Sequence, residues 1–412
     1  MANVAMFWRR AGVALAVALG LAGCTHPPPR PGTPAPPAVR EAVDDLDRVF
    51  DTSYAWWGRV AAPATGGCFY SLSGRRASAG DARFGPDIES LQKLVAVLDW
   101  TDLLGDAPAA FKRHVAAFLQ ARQDADSGFF RDPQHADSYN PNSLQRATGM
   151  AAGTLARVGG VPRFPLPAAR VAKNREAAQH FAFLDSPAAL RGWLTDLPWD
   201  DRAWTAGARL RTHAGTFREL SEPRRTELLG VVERFVADRQ QPDGFFGGAD
   251  APWYSRLSGT YKVAAFLDMN GRDIPRRSEM ATTLRGLLRD RHYNHTIVLY
   301  NTANLLHILQ RNGVAFAAPE RVALVGRCTD ILRTLRGPDG GFVTQRDVPS
   351  PTSNGRLLGR DVVESNTNAT GLAHKTRGLL IEFLTGDPFP HPHARGGVLL
   401  DALDSGDRPR SR

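Results

Sequence analysis

The chain has 412 residues and a formal charge of +9, from 51 Lys and Arg against 42 Asp and Glu. Only five of the basic residues are Lys (93, 112, 173, 262 and 375), and the arginines are scattered without a dense run, which argues against a nucleic-acid-binding stripe. With 42% hydrophobic residues the chain can build a large core, and three cysteines are too few for a disulfide scaffold.

Arg9 and Arg10 precede an uncharged apolar run from Ala11 to Ala22, with the small residues Gly20 and Gly23 near its end. About a dozen apolar residues are too few for a permanent membrane span, so residues 1–23 read as a signal peptide. The stretch Leu21-Ala22-Gly23-Cys24 resembles the lipobox of bacterial lipoproteins. That resemblance implies acylation of Cys24, export, and attachment to a membrane on its extracytoplasmic or cell-surface side. Residues 24–38 carry a run of prolines that excludes helix and central strand, which makes them a stiff polyproline spacer. Of the two remaining cysteines, Cys68 and Cys328, neither has a CxxC partner, so no structural zinc site is expected.

From residue 39 to 390 the sequence reads as helix after helix, with apolar residues at three- and four-residue spacing. Six outer helices are expected over about 39–58, 107–122, 174–194, 221–240, 276–290 and 318–336. Six inner helices, rich in Ala, Gly, Leu and Thr, are expected over about 86–99, 142–157, 200–212, 256–268, 294–311 and 366–384. Residues 391–412 read as a Pro-containing tail in which His391 and His393 lie in a surface loop.

Three outer helices end in matching turns: Gln123-Asp124-Ala125-Asp126-Ser127-Gly128-Phe129-Phe130, Gln240-Gln241-Pro242-Asp243-Gly244-Phe245-Phe246, and Arg336-Gly337-Pro338-Asp339-Gly340-Gly341-Phe342. Gly66-Gly67-Cys68-Phe69-Tyr70 is a weaker copy. Asp and Gly stop the helix, Gly supplies the positive φ of the reversal, and the aromatic plugs the gap between helix ends. One hairpin cannot bury its own apolar face, whereas several stacked hairpins can. The repeated turn resembles that of the prenyltransferase and terpenoid-cyclase toroids, a barrel also used by glycoside hydrolases and polysaccharide lyases. The resemblance implies an all-α fold, an α/α toroid of about six helical hairpins, in which the starts of the inner helices meet at one mouth.

Helix N-termini favour anionic and hydroxyl-rich groups, so the candidate residues start the inner helices. Asp, Asn and Ser there also serve as ordinary N-caps. The aromatics beside them, Trp199, Trp204, Trp253, Tyr254 and Tyr293, are either sugar platforms or packing plugs. Two chemistries follow. Glycoside hydrolysis needs two carboxyls flanking the bond; Asp200 and Asp201 opposite Glu364, with Glu89 and Asp87 in reserve, are the candidates, and Arg146 and Asn366 would help bind the glycan. Cleavage of an acidic, uronate glycan by a lyase would instead draw on Asn294, His295, Tyr293, Tyr261 and Arg256, since Tyr293-Asn294-His295 resembles the Asn-His element of toroidal lyases. Neither chemistry requires a cofactor or a metal ion. A terpenoid or prenyl activity is disfavoured, because no Asp-x-Asp-Asp motif occurs and Cys328 and Asp330 fall inside an outer helix. A non-catalytic glycan-binding or scaffold lipoprotein is the remaining class. The partners expected are a glycan and a membrane, not nucleic acid; the sugar and the oligomeric state stay open.

Overall fold

The computed structural model describes residues 36–405; Cys24 and the expected signal peptide lie outside them. In chain order the helices are α1 (Pro37–Arg48), α2 (Ser53–Val60), α3 (Leu72–Ala77), α4 (Ile88–Trp100), α5 (Ala109–Gln120), α6 (Pro141–Arg157), α7 (Arg175–Phe181) and α8 (Pro187–Thr195). They continue with α9 (Ala203–Thr212), α10 (Ala214–Glu219), α11 (Glu222–Arg239), α12 (Trp253–Met269), α13 (Arg277–Asp290), α14 (Thr296–Arg311), α15 (Ala318–Thr334), α16 (Thr367–Thr385) and α17 (Gly396–Ser405). Two antiparallel ribbons interrupt them. In one, β1 (Ala61–Ala62) pairs with β2 (Gly67–Cys68), with Ala61 opposite Cys68; in the other, β3 (Thr352–Ser353) pairs with β4 (Arg356–Leu357), with Ser353 opposite Arg356. The fold is all-α.

The six inner helices touch in a closed circuit: α4 packs on α6, α6 on α9, α9 on α12, α12 on α14, α14 on α16, and α16 back on α4. Among the outer helices, α5 packs on α6, α13 on α14, and α1 and α15 on α16. Small residues allow this crowding. A Cβ on Gly259 of α12 would lie 2.6 Å from the Ala203 carbonyl oxygen of α9, and one on Gly207 would lie 2.8 Å from the Gly259 carbonyl oxygen. The core is one continuous apolar cluster between the two sets of helices.

The repeated turns behave alike. Gly128, Gly244 and Gly340 all have positive φ (78°, 82° and 95°), the region only glycine enters without strain. The buried aromatics that follow, Phe130, Phe246 and Phe342, donate their backbone N–H to Thr148, Thr260 and Thr370 on α6, α12 and α16, at 3.1, 2.9 and 3.0 Å. Each plug is thus pinned to the next inner helix by a buried threonine.

Two outer helices are shorter than periodicity suggests. The expected 39–58 helix breaks where the Ser53 hydroxyl bonds the Phe50 carbonyl at 2.7 Å and turns the chain. The expected 174–194 helix restarts at Pro187, where Ser186 caps the Ala189 N–H at 3.0 Å. Nor are residues 391–405 a loose surface tail. Arg377 donates to the His391 and Pro392 carbonyls at 2.8 and 2.9 Å, both imidazoles of the His391-Pro392-His393 stretch are packed inside, and α17 buries Leu399 and Leu403 against α2. Cys68 and Cys328 are both buried and free. No described helix is long and apolar enough to cross a membrane.

Candidate active site

Capping accounts for part of the expected set. Asp87 accepts the Ser90 N–H and hydroxyl at 3.0 and 2.5 Å, and Asn366 accepts the Ala369 N–H at 2.9 Å. The proposed carboxylate pair does not converge. The Asp200 side chain is 78% exposed with outer-helix Arg239 at 3.7 Å, and Asp201 is exposed beside it. Glu364 is engaged elsewhere, accepting the Ser73 N–H at 3.0 Å and the Ser73 hydroxyl. Trp199 is a plug rather than a platform: it is buried between the Phe235 and Phe246 rings and donates Nε1–H to the Leu194 carbonyl at 2.7 Å. Arg256 belongs to the second repeat turn, held by both oxygens of Asp243 at 2.9 Å.

Glu89 sits in a dense ionic cluster between α4, α6 and the β3–β4 ribbon. It accepts from Arg146 at 2.6 Å, Asn354 at 2.7 Å, and Ser353 and Arg356 at 3.1 Å. Arg356 also reaches Asp132 at 2.9 Å, and Asp132 accepts from Tyr139 at 2.9 Å, Arg122 at 3.2 Å and the Ile88 N–H at 3.0 Å. Burial opposes the Glu89 charge, but Arg146, Arg356 and Lys93 outweigh it and hold the carboxyl well below its ordinary range. Burial and the Asp132 charge push Asp87 up to about 7. Three acids face three arginines in a charge-compensated network.

An open cavity of about 440 Å³ lies where α9, α12 and α14 begin. Its walls include Trp204, Trp253, Tyr254, Tyr293, Asn294 and His295. Trp253 and Tyr293 pack edge to face at 5.1 Å, and Tyr254 remains exposed. His295 Nδ1 accepts the Ile297 N–H at 3.1 Å, so the neutral ring carries its proton on Nε2. Burial pushes the imidazole down to about 4. At neutral pH His295 is therefore an uncharged hydrogen-bond donor, not a free base.

Beneath the cavity wall every inner helix sends a polar side chain toward a common region. Lys262 of α12 lies 4.9 Å from the Trp204 ring and 5.5 Å from the Tyr261 ring. The Arg211 guanidinium of α9 lies 5.2 Å from the Tyr261 ring, and the Tyr261 and Tyr300 hydroxyls are 3.2 Å apart. Lys93 of α4, Arg146 of α6 and Lys375 of α16 complete the ring; their charges act on these phenols and amines. Burial would raise the Tyr300 phenol, but Lys375, Arg211, the Tyr261 hydrogen bond and Lys93 overcome it and bring the phenol down to about 7. Burial, Arg211 and Arg146 push the Lys262 ammonium well below its ordinary value. Burial and Arg146 bring Lys93 down to about 8, against the pull of Glu89. Arg146 Nε and Arg211 Nε are buried without a hydrogen-bond partner. No carboxylate lies within ion-pair distance of Lys93, Lys262 or Lys375 among the described residues. The result is a basic centre built around a tyrosine pair.

The Tyr-His-Asn element and the Trp204, Trp253 and Tyr254 side chains thus share one cavity, and Lys262 lies between the Trp204 and Tyr261 rings. Lys93, Lys262, Lys375, Arg211 and Tyr300 were not singled out from sequence. One signal was present: of five lysines in the chain, three lie on inner helices. No protein-family model and no curated protein matches this sequence.

Proposed function

We propose that this protein is an exported, lipid-anchored enzyme that cleaves an acidic polysaccharide by β-elimination, and that the circuit of inner helices is the inner wall of an α/α toroid. The observation that carries the reading is the Tyr261–Tyr300 hydroxyl pair among Lys375, Arg211 and Lys93, joined by Lys262 to the Trp204 wall of an aromatic-lined cavity. Elimination from a uronate needs its carboxylate neutralised, a base for the proton on the neighbouring carbon, and an acid for the leaving oxygen. Arg211, Lys93 and Lys375 supply the neutralising charge. Tyr300, brought down to about 7 by those same cations, takes in its ionised form the proton from the carbon bearing the carboxylate. The electron pair forms the new double bond, the glycosidic C–O bond breaks, and the Tyr300 phenol returns the proton to the departing oxygen. Tyr261 positions Tyr300, and His295 offers its Nε2–H to a sugar hydroxyl. Trp204, Trp253 and Tyr254 stack on sugar rings.

Hydrolysis is less well supported, since Asp200 and Glu364 have separate partners and no shared cavity. The test is incubation of the purified protein with a panel of polyuronates, following ultraviolet absorbance of unsaturated uronate and new reducing ends together. The two are expected to rise in equal amounts. Reducing ends without absorbance would mean hydrolysis and would defeat the proposal.

A further inference from the structure

A second cavity, of about 660 Å³, opens at the start of α6. Its lining joins the start of α6 (Tyr139, Asn140, Leu144) to α7 and α8 (Gln179, Phe183, Trp193). Its aromatic wall is preset. The Phe183 and Trp193 rings stack at 4.6 Å and 22°, and His213 packs edge-on against both, at 4.8 and 5.7 Å. Across from them Tyr139 is fixed by Asp132 at 2.9 Å and by Arg356 at 2.9 Å. The polar groups that remain are amides: Asn140, which caps α6, and Gln179, which is exposed into the opening. His180 adds a buried Nε2 without a partner.

The charge of this cavity is opposite in kind to that of the centre. Its one cation, Arg131, is paired with its one carboxylate, Glu176. Burial pushes His180 down to about 4, so the imidazole is neutral. Rigid aromatic faces with amide donors and acceptors and no net charge suit hydroxyl-rich rings that carry no charge. We infer that this cavity, built on Trp193, Phe183, Tyr139 and Gln179, is a second binding site for a neutral saccharide. The site deepens the reading above. With a basic centre to which α6 contributes Arg146 and a neutral site at the start of the same helix, the substrate would be a mixed polysaccharide containing both uronate and neutral sugars.

Direct binding tests the site independently of cleavage. The whole protein is titrated with neutral oligosaccharides of glucose, mannose, galactose and xylose, following tryptophan fluorescence. Saturable binding of at least one series is expected. Trp193→Ala should weaken it by about tenfold, from loss of a stacking face, and Gln179→Ala by about threefold, from loss of one hydrogen bond. Trp204→Ala, in the other cavity, should leave it within about twofold. Because Trp193 also packs on His213, the exposed Gln179 decides if Trp193→Ala fails to fold. Absence of binding by all four series overturns the inference, as does binding that ignores both substitutions or that is lost with Trp204→Ala. Elimination failing while this binding persists would remove the proposed reaction and leave the second site standing.

Discussion

Two buried polar clusters sit side by side within the circuit of inner helices, and they are built on opposite accounts of charge. Around Glu89 and Asp132 each ionised carboxylate meets an arginine, and hydroxyl and amide donors fill the remaining lone pairs. Around Tyr300 the charges of Lys375, Arg211 and Lys93 act together, none of the lysines in an ion pair among the described residues, and a phenol is drawn toward ionisation. A balanced network locks elements together: here it ties the β3–β4 ribbon to α4 through Arg356. An unbalanced one costs stability and persists where a ligand supplies the missing charge. On the reading proposed above, Tyr300, Lys262 and Lys93, all shifted by their neighbours, belong to the working cluster.

The largest effect expected is on catalysis. Tyr300→Phe should lower the elimination rate by about 10²–10⁴, the usual contribution of a positioned acid–base group. In the wild type the rate should climb with pH through about 7, as Tyr300 loses its proton, and a steady-state pH profile checks this. In the balanced cluster, Arg356→Met strands Glu89 and Asp132 without their shared counterion. It should cost about 3–5 kcal/mol of stability by denaturant titration, whereas a mere surface ion pair would cost less than about 1 kcal/mol.

A third prediction concerns pH and lies outside both clusters. Burial and the neighbouring His180 push His213 down to about 3 from an ordinary 6.5. The unfolded chain therefore takes up a proton below pH 6.5 that the folded protein refuses, so stability falls as pH drops from 6.5 toward 3. At pH 5 the loss from this residue is at most about 2 kcal/mol, and His213→Phe should remove it from the pH dependence of thermal unfolding. Smaller and opposite in sign to Arg356→Met, Lys262→Met should raise stability by about 1 kcal/mol while weakening substrate binding, since it removes a buried amine that has no counterion. Equal destabilisation by Arg356→Met and Lys262→Met would erase the contrast between the clusters. Asp200→Asn should change stability by less than about 0.5 kcal/mol and leave the rate unaltered, because the side chain is in solvent.

The helical repeat was readable because it is local. Period-3.6 patterning and the Asp-Gly-aromatic turns locate every inner helix within about three residues, and the positive φ at Gly128, Gly244 and Gly340 follows from the residue type. Breaks at Ser53 and Pro187 were missed because apolar spacing runs through them, although Ser186-Pro187 is a helix-start signal. The site was only half legible. The aromatic cavity at His295, Trp204, Trp253 and Tyr254 came from inspecting helix starts, but the same logic pointed to Asp200, Glu364 and Trp199, which cap, pair or plug elsewhere. Of the basic centre only Arg146 and Tyr261 are legible, because it draws residues from inside six helices, α4, α6, α9, α12, α14 and α16, spread over residues 93–375 with no motif linking them. Arg356 lies in a ribbon between helices, where nothing in the local pattern announces a buried ion pair.

The charge imbalance is tested most directly by spectroscopic titration of tyrosine ionisation in the folded protein, wild type beside Tyr300→Phe. The account predicts one tyrosinate appearing near pH 7 in the wild type and missing from the variant. If every tyrosine in both proteins ionises only in the alkaline range, the cations around Tyr300 are not holding a phenolate, and the centre described here is not a catalytic one.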